Sequence, residues 1–167
     1  MEERLLKDKF MIMVESNQNI LHKISRLYSN DEEEKRDLFQ EILYQLWRSF
    51  PKFRGECKES TWIYRVALNT ATTHIGKEKK NKQGRVDFEV ADGIAESKSG
   101  VVEINALYSA ISRLESDEKA MMMLYLDEHS YEEIAEIIGI SKANVAVRIH
   151  RVKGKLGLIL KNMGYGY

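Results

Sequence analysis

Between Ser141 and Leu156 the chain carries Lys142, Arg148, Arg151, Lys153 and Lys155 and no acidic residue, with Asn144 and His150 among them. Cations at that density attract phosphates, and the amide and imidazole have the reach and polarity to meet base edges. The chemistry on offer is nucleic-acid binding. A second constellation, Asp37, Gln40 and Glu41, stands at spacing i, i+3, i+4, which places two carboxylates and an amide on one side of a helix. It suits a basic partner surface through charge-assisted hydrogen bonds, although on charge alone a solvated helix face is the favoured reading. Bond-making chemistry finds little support. His22, His74, His129 and His150 do not cluster with Cys57 at zinc-ligand spacing, no glycine-rich phosphate loop precedes a helix, and no strained nucleophile turn is marked. No catalytic residue, metal or cofactor is expected. Cys57 sits beside Glu56 and near Glu59, which oppose thiolate formation, so it reads as an incidental thiol.

The elements that must position these residues are helical throughout. Apolar spacing of three and four recurs along most of the chain and strict alternation is rare. Two short helices are expected over 5–15 and 20–28, the second carrying Ile20, Leu21, Ile24, Leu27 and Tyr28 on one side. Asn30 or Asp31 can cap a third helix over 32–50, whose acidic start suits the helix dipole. That helix turns Leu38, Phe39, Ile42, Leu43, Leu46, Trp47 and Phe50 inward and leaves Asp37, Gln40, Glu41, Tyr44 and Arg48 outward. The single proline, Pro51, and Gly55 break the chain, and Ser60 or Thr61 is expected to cap a fourth helix over 62–80. Residues 81–100 lose the period and gain Gly, Ser and Asp, the composition of a flexible linker. Periodicity resumes at about Val101, with Ile104, Leu107, Tyr108, Ile111 and Leu114 as an apolar stripe. The expected architecture is all-α, with one small helical domain over 1–80 and another over 101–167.

In the second domain Ser130-Tyr131-Glu132-Glu133 has the form of a capping box, and the helix it starts runs to Gly139, a residue able to close it in the left-handed conformation. Ser141 can cap the next. Two helices across so short a turn form a helix-turn-helix, with Ala135 allowing close packing, Ile140 plugging the turn, and Val145, Ile149 and Val152 facing the core. The remaining face of the second helix is expected to be basic. A helical hairpin with a solvated basic face is the plainer alternative. Segregation of Glu132, Glu133 and Glu136 onto the supporting helix favours DNA. Met122, Leu124, Tyr125 and Leu126 belong to a short helix that packs beneath the pair.

Bulk properties agree. Among 167 residues, 43% are hydrophobic and 31% charged, enough for a packed core. The net charge is zero, which excludes coating nucleic acid by bulk electrostatics and leaves only local basic patches. One cysteine rules out an intramolecular disulfide framework and fits a reducing compartment; with no secretory signal and no long apolar run, a cytoplasmic location is expected.

Asp37-Leu38-Phe39-Gln40-Glu41, Leu46-Trp47-Arg48, Phe53-Arg54-Gly55 and the run from Thr61-Trp62-Ile63-Tyr64-Arg65 through Val66-Ala67-Leu68-Asn69-Thr70 resemble the second region of extracytoplasmic-function (ECF) sigma factors. The helix-turn-helix resembles their fourth region, and the matches follow the family order over roughly 10–161. The resemblance implies a factor that brings core RNA polymerase to chosen promoters, contacting the beta-prime clamp helices and the beta flap. It implies that Asp37, Gln40 and Glu41 bind the clamp helices. The segment 53–80 is implied to read and open the minus-ten element, with Asn69 and Thr73 offering hydrogen bonds and Lys77, Lys79 and Lys80 holding the separated strand. The minus-thirty-five element falls to Lys142, Asn144, Ala146, Val147, Arg148, His150, Arg151 and Lys153. An anti-sigma protein is an implied partner. Two departures stand out: Glu56-Cys57-Lys58-Glu59-Ser60 lacks the aromatic that many relatives place there, and Ala146 and Val147 replace a basic residue and a serine, which favours apolar readout of thymine methyl groups.

Overall fold

The computed structural model describes residues 1–81 and 99–165, with side chains over 1–77 and 103–165, and most of the expected linker lies outside the described residues. Every regular element among the described residues is helical: α1 (Glu2–Ser16), α2 (Gln18–Leu27), α3 (Glu32–Ser49), α4 (Glu59–Asn81), α5 (Ser99–Ser112), α6 (Ser116–Leu126), α7 (Tyr131–Ile138) and α8 (Lys142–Asn162). The all-α class and the helix-turn-helix follow the expectation.

Local chemistry sets the boundaries. Asp31 caps α3, its Oδ1 accepting the Glu34 N–H at 2.7 Å. The Glu34 carboxylate folds back to accept the Asn30 N–H at 2.7 Å, which leaves Glu34 only 9% exposed. Leu38, Ile42 and Leu46 are fully buried against α2 and α4. Phe50–Lys52 tightens into a 3-10 turn, and Gly55 takes a φ of +72°, a value that glycine adopts without a Cβ penalty. The next helix departs from expectation. It begins at Glu59, with the Trp62 N–H bonding the Lys58 carbonyl, so Ser60 and Thr61 lie in its first turn rather than capping it, and Thr61 is buried there. A second correction concerns α5. Ile104 and Tyr108 are exposed, because this helix turns Ala106, Ala110 and Ile111 inward where it packs against α8, and Leu114 is buried just beyond its end. In α6, Met121, Met122, Met123 and Leu124 are core while Leu126 is exposed.

Helices α1–α4 form one group and α5–α8 a second, and the groups dock. Buried residues of both belong to one continuous cluster. Across the junction the Tyr28 hydroxyl donates to the Ser116 carbonyl, Lys23 pairs with Asp127 at 2.9 Å, and the Tyr64 ring meets His129 edge-on at 5.2 Å. Arg65 donates through Nε and Nη2 to the Glu136 carbonyl at 3.0 and 2.7 Å. That carbonyl lies in the last turn of α7, so the guanidinium satisfies it from outside the helix, while the Gly139 and Ile140 N–H groups close on the Ala135 carbonyl.

Candidate functional site

Three surfaces collect the residues singled out by type and spacing. On α3 the core row Leu38, Ile42 and Leu46 turns the opposite side to solvent, where Asp37, Gln40, Glu41, Tyr44 and Arg48 are all exposed. Gln45 Nε2 donates to Glu41 Oε1 at 3.0 Å and so steadies one of the two carboxylates. The acidic and amide groups thus stand on one rigid, accessible helix face.

The α4 surface carries Asn69, Thr73 and Lys77, all exposed and four residues apart, hence on one stripe. The side chains of Lys79 and Lys80 lie outside the described residues. Asn69 opens onto a groove between the two helix groups, bounded by Arg65 and Thr72 on α4 and by Ser116, Asp117 and Ile138 opposite. In the loop before α4, Phe53 stacks on Trp62 with centroids 4.8 Å apart and planes 23° from parallel. An aromatic platform therefore flanks residues 56–60, which themselves lack an aromatic. Arg65 was invisible as a junction residue: an arginine in an amphipathic helix carries no mark of the carbonyl it will meet.

The helix-turn-helix is built by its caps. Ser130 Oγ accepts the Glu133 N–H at 3.1 Å, and Ser141 Oγ accepts the Asn144 N–H at 3.1 Å. Gly139 between them has a φ of +83° and its N–H bonds the Ala135 carbonyl. The capping box is only half formed, because the Glu133 carboxylate binds His129 Nδ1 at 2.9 Å. A reciprocal box appears at α6 instead, where Glu118 accepts the Glu115 N–H at 3.0 Å. Val145, Ile149, Val152 and Leu156 are buried, as the pattern requires.

The expected single basic face of α8 divides into two flanks. Lys142 and Lys153, eleven residues apart, share one flank, and Arg148 and Lys155, seven apart, share the other. The outermost strip between them is Val147, Arg151, Gly154 and Leu158, with Val147 56% and Leu158 64% exposed. Asn144 and His150 are exposed beside it, and Ala146 is half-buried. The flanking cations are held by the supporting helices: Lys142 by Glu132, Arg148 by Asp117 at 3.6 Å, Lys155 by Glu118 at 3.0 Å, and Lys153 by the Tyr125 hydroxyl and ring, 4.0 Å away. The hydrogen bond and charge of Lys142 hold the Glu132 carboxyl below its ordinary range. Burial raises the Glu118 carboxyl, but the Glu115 N–H and the Lys155 ammonium outweigh it and leave it lowered. Two rows of cations thus stand astride a strip whose one charged residue is Arg151, an arrangement with which phosphates can pair on either side.

Among the described residues no group of three or more His, Cys, Asp or Glu side chains could hold a metal ion, and no helix is long and apolar enough to cross a membrane. Cys57 is half-buried, its sulfur 4.0 Å from Arg65 Nη1.

Comparison with known proteins follows the same division. Residues 13–81 match the family model for Sigma-70 region 2, and residues 104–156 match Sigma-70, region 4. The ECF RNA polymerase sigma factor SigW of Bacillus subtilis is 27% identical over 172 residues, covering 94% of this chain and 91% of that protein. The ECF RNA polymerase sigma-E factor of Escherichia coli is 29% identical over 149 residues, covering 79% of this chain and 78% of that protein. Among solved structures, the sigma factor RpoE in complex with the anti-sigma factor NepR from Bartonella quintana shares the fold, with a TM-score of 0.69 at 21% identity over 93% of this chain and 96% of that one. With regions 2 and 4 matched in order on the two helix groups, and relatives aligned along most of its length, this chain belongs to the ECF sigma factor family.

Proposed function

We propose that the chain joins core RNA polymerase and directs initiation at promoters whose minus-ten and minus-thirty-five elements it recognises. The observation that carries the reading is the separation of surfaces: an exposed acidic and amide stripe on α3, matched to region 2, and a cation-flanked helix α8, matched to region 4. Residues 1–80 are the unit for polymerase and the minus-ten element, 101–167 the unit for the minus-thirty-five element, and 81–100 set their spacing. Asp37, Gln40 and Glu41 meet basic residues of the beta-prime clamp helices, and the second unit meets the beta flap. Asn69 and Thr73 hydrogen-bond bases of the opened strand, and Lys77, Lys79 and Lys80 follow its backbone. On α8, Lys142, Arg148 and Lys153 contact phosphates, Asn144, His150 and Arg151 reach base edges, and Ala146 and Val147 favour thymine methyl groups.

No bond is made or broken by the protein itself; binding energy shared over two tethered sites selects the promoter. The factor works where polymerase and chromosome meet, in the cytoplasm. The sigma factors of similar fold were solved with the anti-sigma factor NepR and, for CnrH, with the cytosolic domain of CnrY, which supports an anti-sigma protein as a further partner here. The test is reconstitution with core polymerase followed by mapping of transcript starts. Replacing Asp37→Ala and Glu41→Ala together should weaken association with core by at least about tenfold, as loss of central interface anchors does. Unchanged association and unchanged start sites would overturn the reading in favour of an ordinary helix-turn-helix repressor.

A further inference from the structure

DNA binding by α8 faces a competitor inside the molecule. Four of the five cations between Ser141 and Leu156 are already engaged: Lys142 with Glu132, Arg148 with Asp117, Lys155 with Glu118 and Lys153 with Tyr125. For Arg151 no such partner is found among the described residues. The acidic partners come from the first turns of α6 and α7, the two helices that support α8, so they border the same flanks on which phosphates would lie. A phosphate that takes one of these cations must displace a carboxylate and then sit beside it. Each contact therefore gains less than a free lysine or arginine would supply, and fewer counterions are released on binding. The Lys142–Glu132 and Arg148–Asp117 pairs are open to solvent, which makes them weak and exchangeable, and Lys155 is partly exposed although Glu118 is mostly covered: the pairs lower affinity without closing the surface.

We propose that Asp117, Glu118 and Glu132 are built-in competitors of DNA phosphate, holding Arg148, Lys155 and Lys142 so that the free chain binds duplex weakly and engages it only when polymerase presents both. The proposal rests on the reading of α8 as the DNA-binding helix. It assigns a role in setting affinity to three residues of the supporting helices, which motif matching would leave as solvated surface.

The experiment measures binding of the full chain to a labelled duplex by fluorescence anisotropy across a salt series. The variant Asp117→Asn/Glu118→Gln/Glu132→Gln keeps the size of each side chain, and glutamine at 118 retains the capping box. It should tighten binding about tenfold or more at low salt, and the slope of log affinity against log salt should steepen by about 0.9 for each cation set free. A second variant, Glu2→Gln/Glu3→Gln/Asp8→Asn, removes the same charge from α1 and should change affinity by less than about threefold, since screening limits distant charges. The single change Glu132→Gln, at the most exposed pair, gives the same sign in a chain whose helix content is checked by circular dichroism. Equal effects of the two triple variants, or no effect of the first, would overturn the proposal while transcription with core polymerase still supported the wider reading. If no form of the chain bound duplex, alone or with polymerase, the assignment of α8 to DNA would fall as well.

Discussion

At the scale of single residues, burial decides which polar groups keep their ordinary chemistry. Tyr64 is pushed up to about 12 by burial, with the negative charge of Asp127 beside it adding to the shift, and burial raises Tyr28 in the same direction. A tyrosine whose pKa is higher folded than unfolded holds its proton more tightly in the native state. Its contribution is complete below about 10, the unfolded value, and is lost as pH rises toward the folded one. Urea midpoints should therefore decline between about pH 10 and 12, and Tyr64→Phe should flatten that decline. A variant that followed the wild-type curve throughout would contradict the burial of this hydroxyl. Single residues also account for the misplaced expectations. Glu133 has the right spacing for a capping box, but a histidine one residue before the cap offered a better partner, and only the assembled turn brings His129 Nδ1 to 2.9 Å.

At the scale of elements, α7 and α8 were legible because the signals that build them are local. A serine before each helix, a glycine at the turn and apolar residues at 145, 149 and 152 involve neighbours within a few positions, and all fall where expected. Gly139 has open space around the position of a Cβ but a φ of +83°, so Gly139→Ala should cost about 1 kcal/mol through backbone strain alone. Ser141→Ala should cost a similar amount, about 1 kcal/mol, by leaving the Asn144 N–H without its cap. Urea denaturation of each variant checks both values, and a neutral Gly139→Ala would deny the left-handed turn. The stripe on α5 was misread for the opposite reason. Periodicity identified a helix there, but Ile104 and Tyr108 are large enough to mimic a core face, and what buries a face is the neighbour it meets. The partner for Tyr108 is Arg26 of α2, 4.9 Å from the ring centroid, a residue of the other helix group.

At the scale of the whole molecule, the docked groups and the proposed promoter contacts make competing demands. A compact chain of this length has a radius of gyration of about 15 Å. The interval from minus ten to minus thirty-five spans about 85 Å of duplex at 3.4 Å per step. One docked molecule cannot touch both ends, so the junction must open when both elements are engaged. The polar ties that oppose opening are Arg65 to Glu136, Lys23 to Asp127 and Tyr28 to Ser116. Arg65→Ala combined with Lys23→Ala should raise the measured radius in small-angle scattering above about 15 Å while leaving helix content unchanged. A radius that did not move would place the hold of the junction in its apolar contacts instead.

What the sequence determined by itself was the helical class, the order of the elements, the helix-turn-helix and the outward position of Asp37, Gln40 and Glu41. Each rests on interactions between residues three or four apart, which periodicity and capping residues record directly. Which charges are engaged within the molecule followed from long-range packing. Lys23 and Asp127 stand 104 positions apart, Arg65 and Glu136 stand 71 apart, and Arg148 finds its acid on a different helix. No local pattern encodes such pairs, because they are chosen by the packing of apolar faces, and the charged side chains then meet whatever that packing brings within reach.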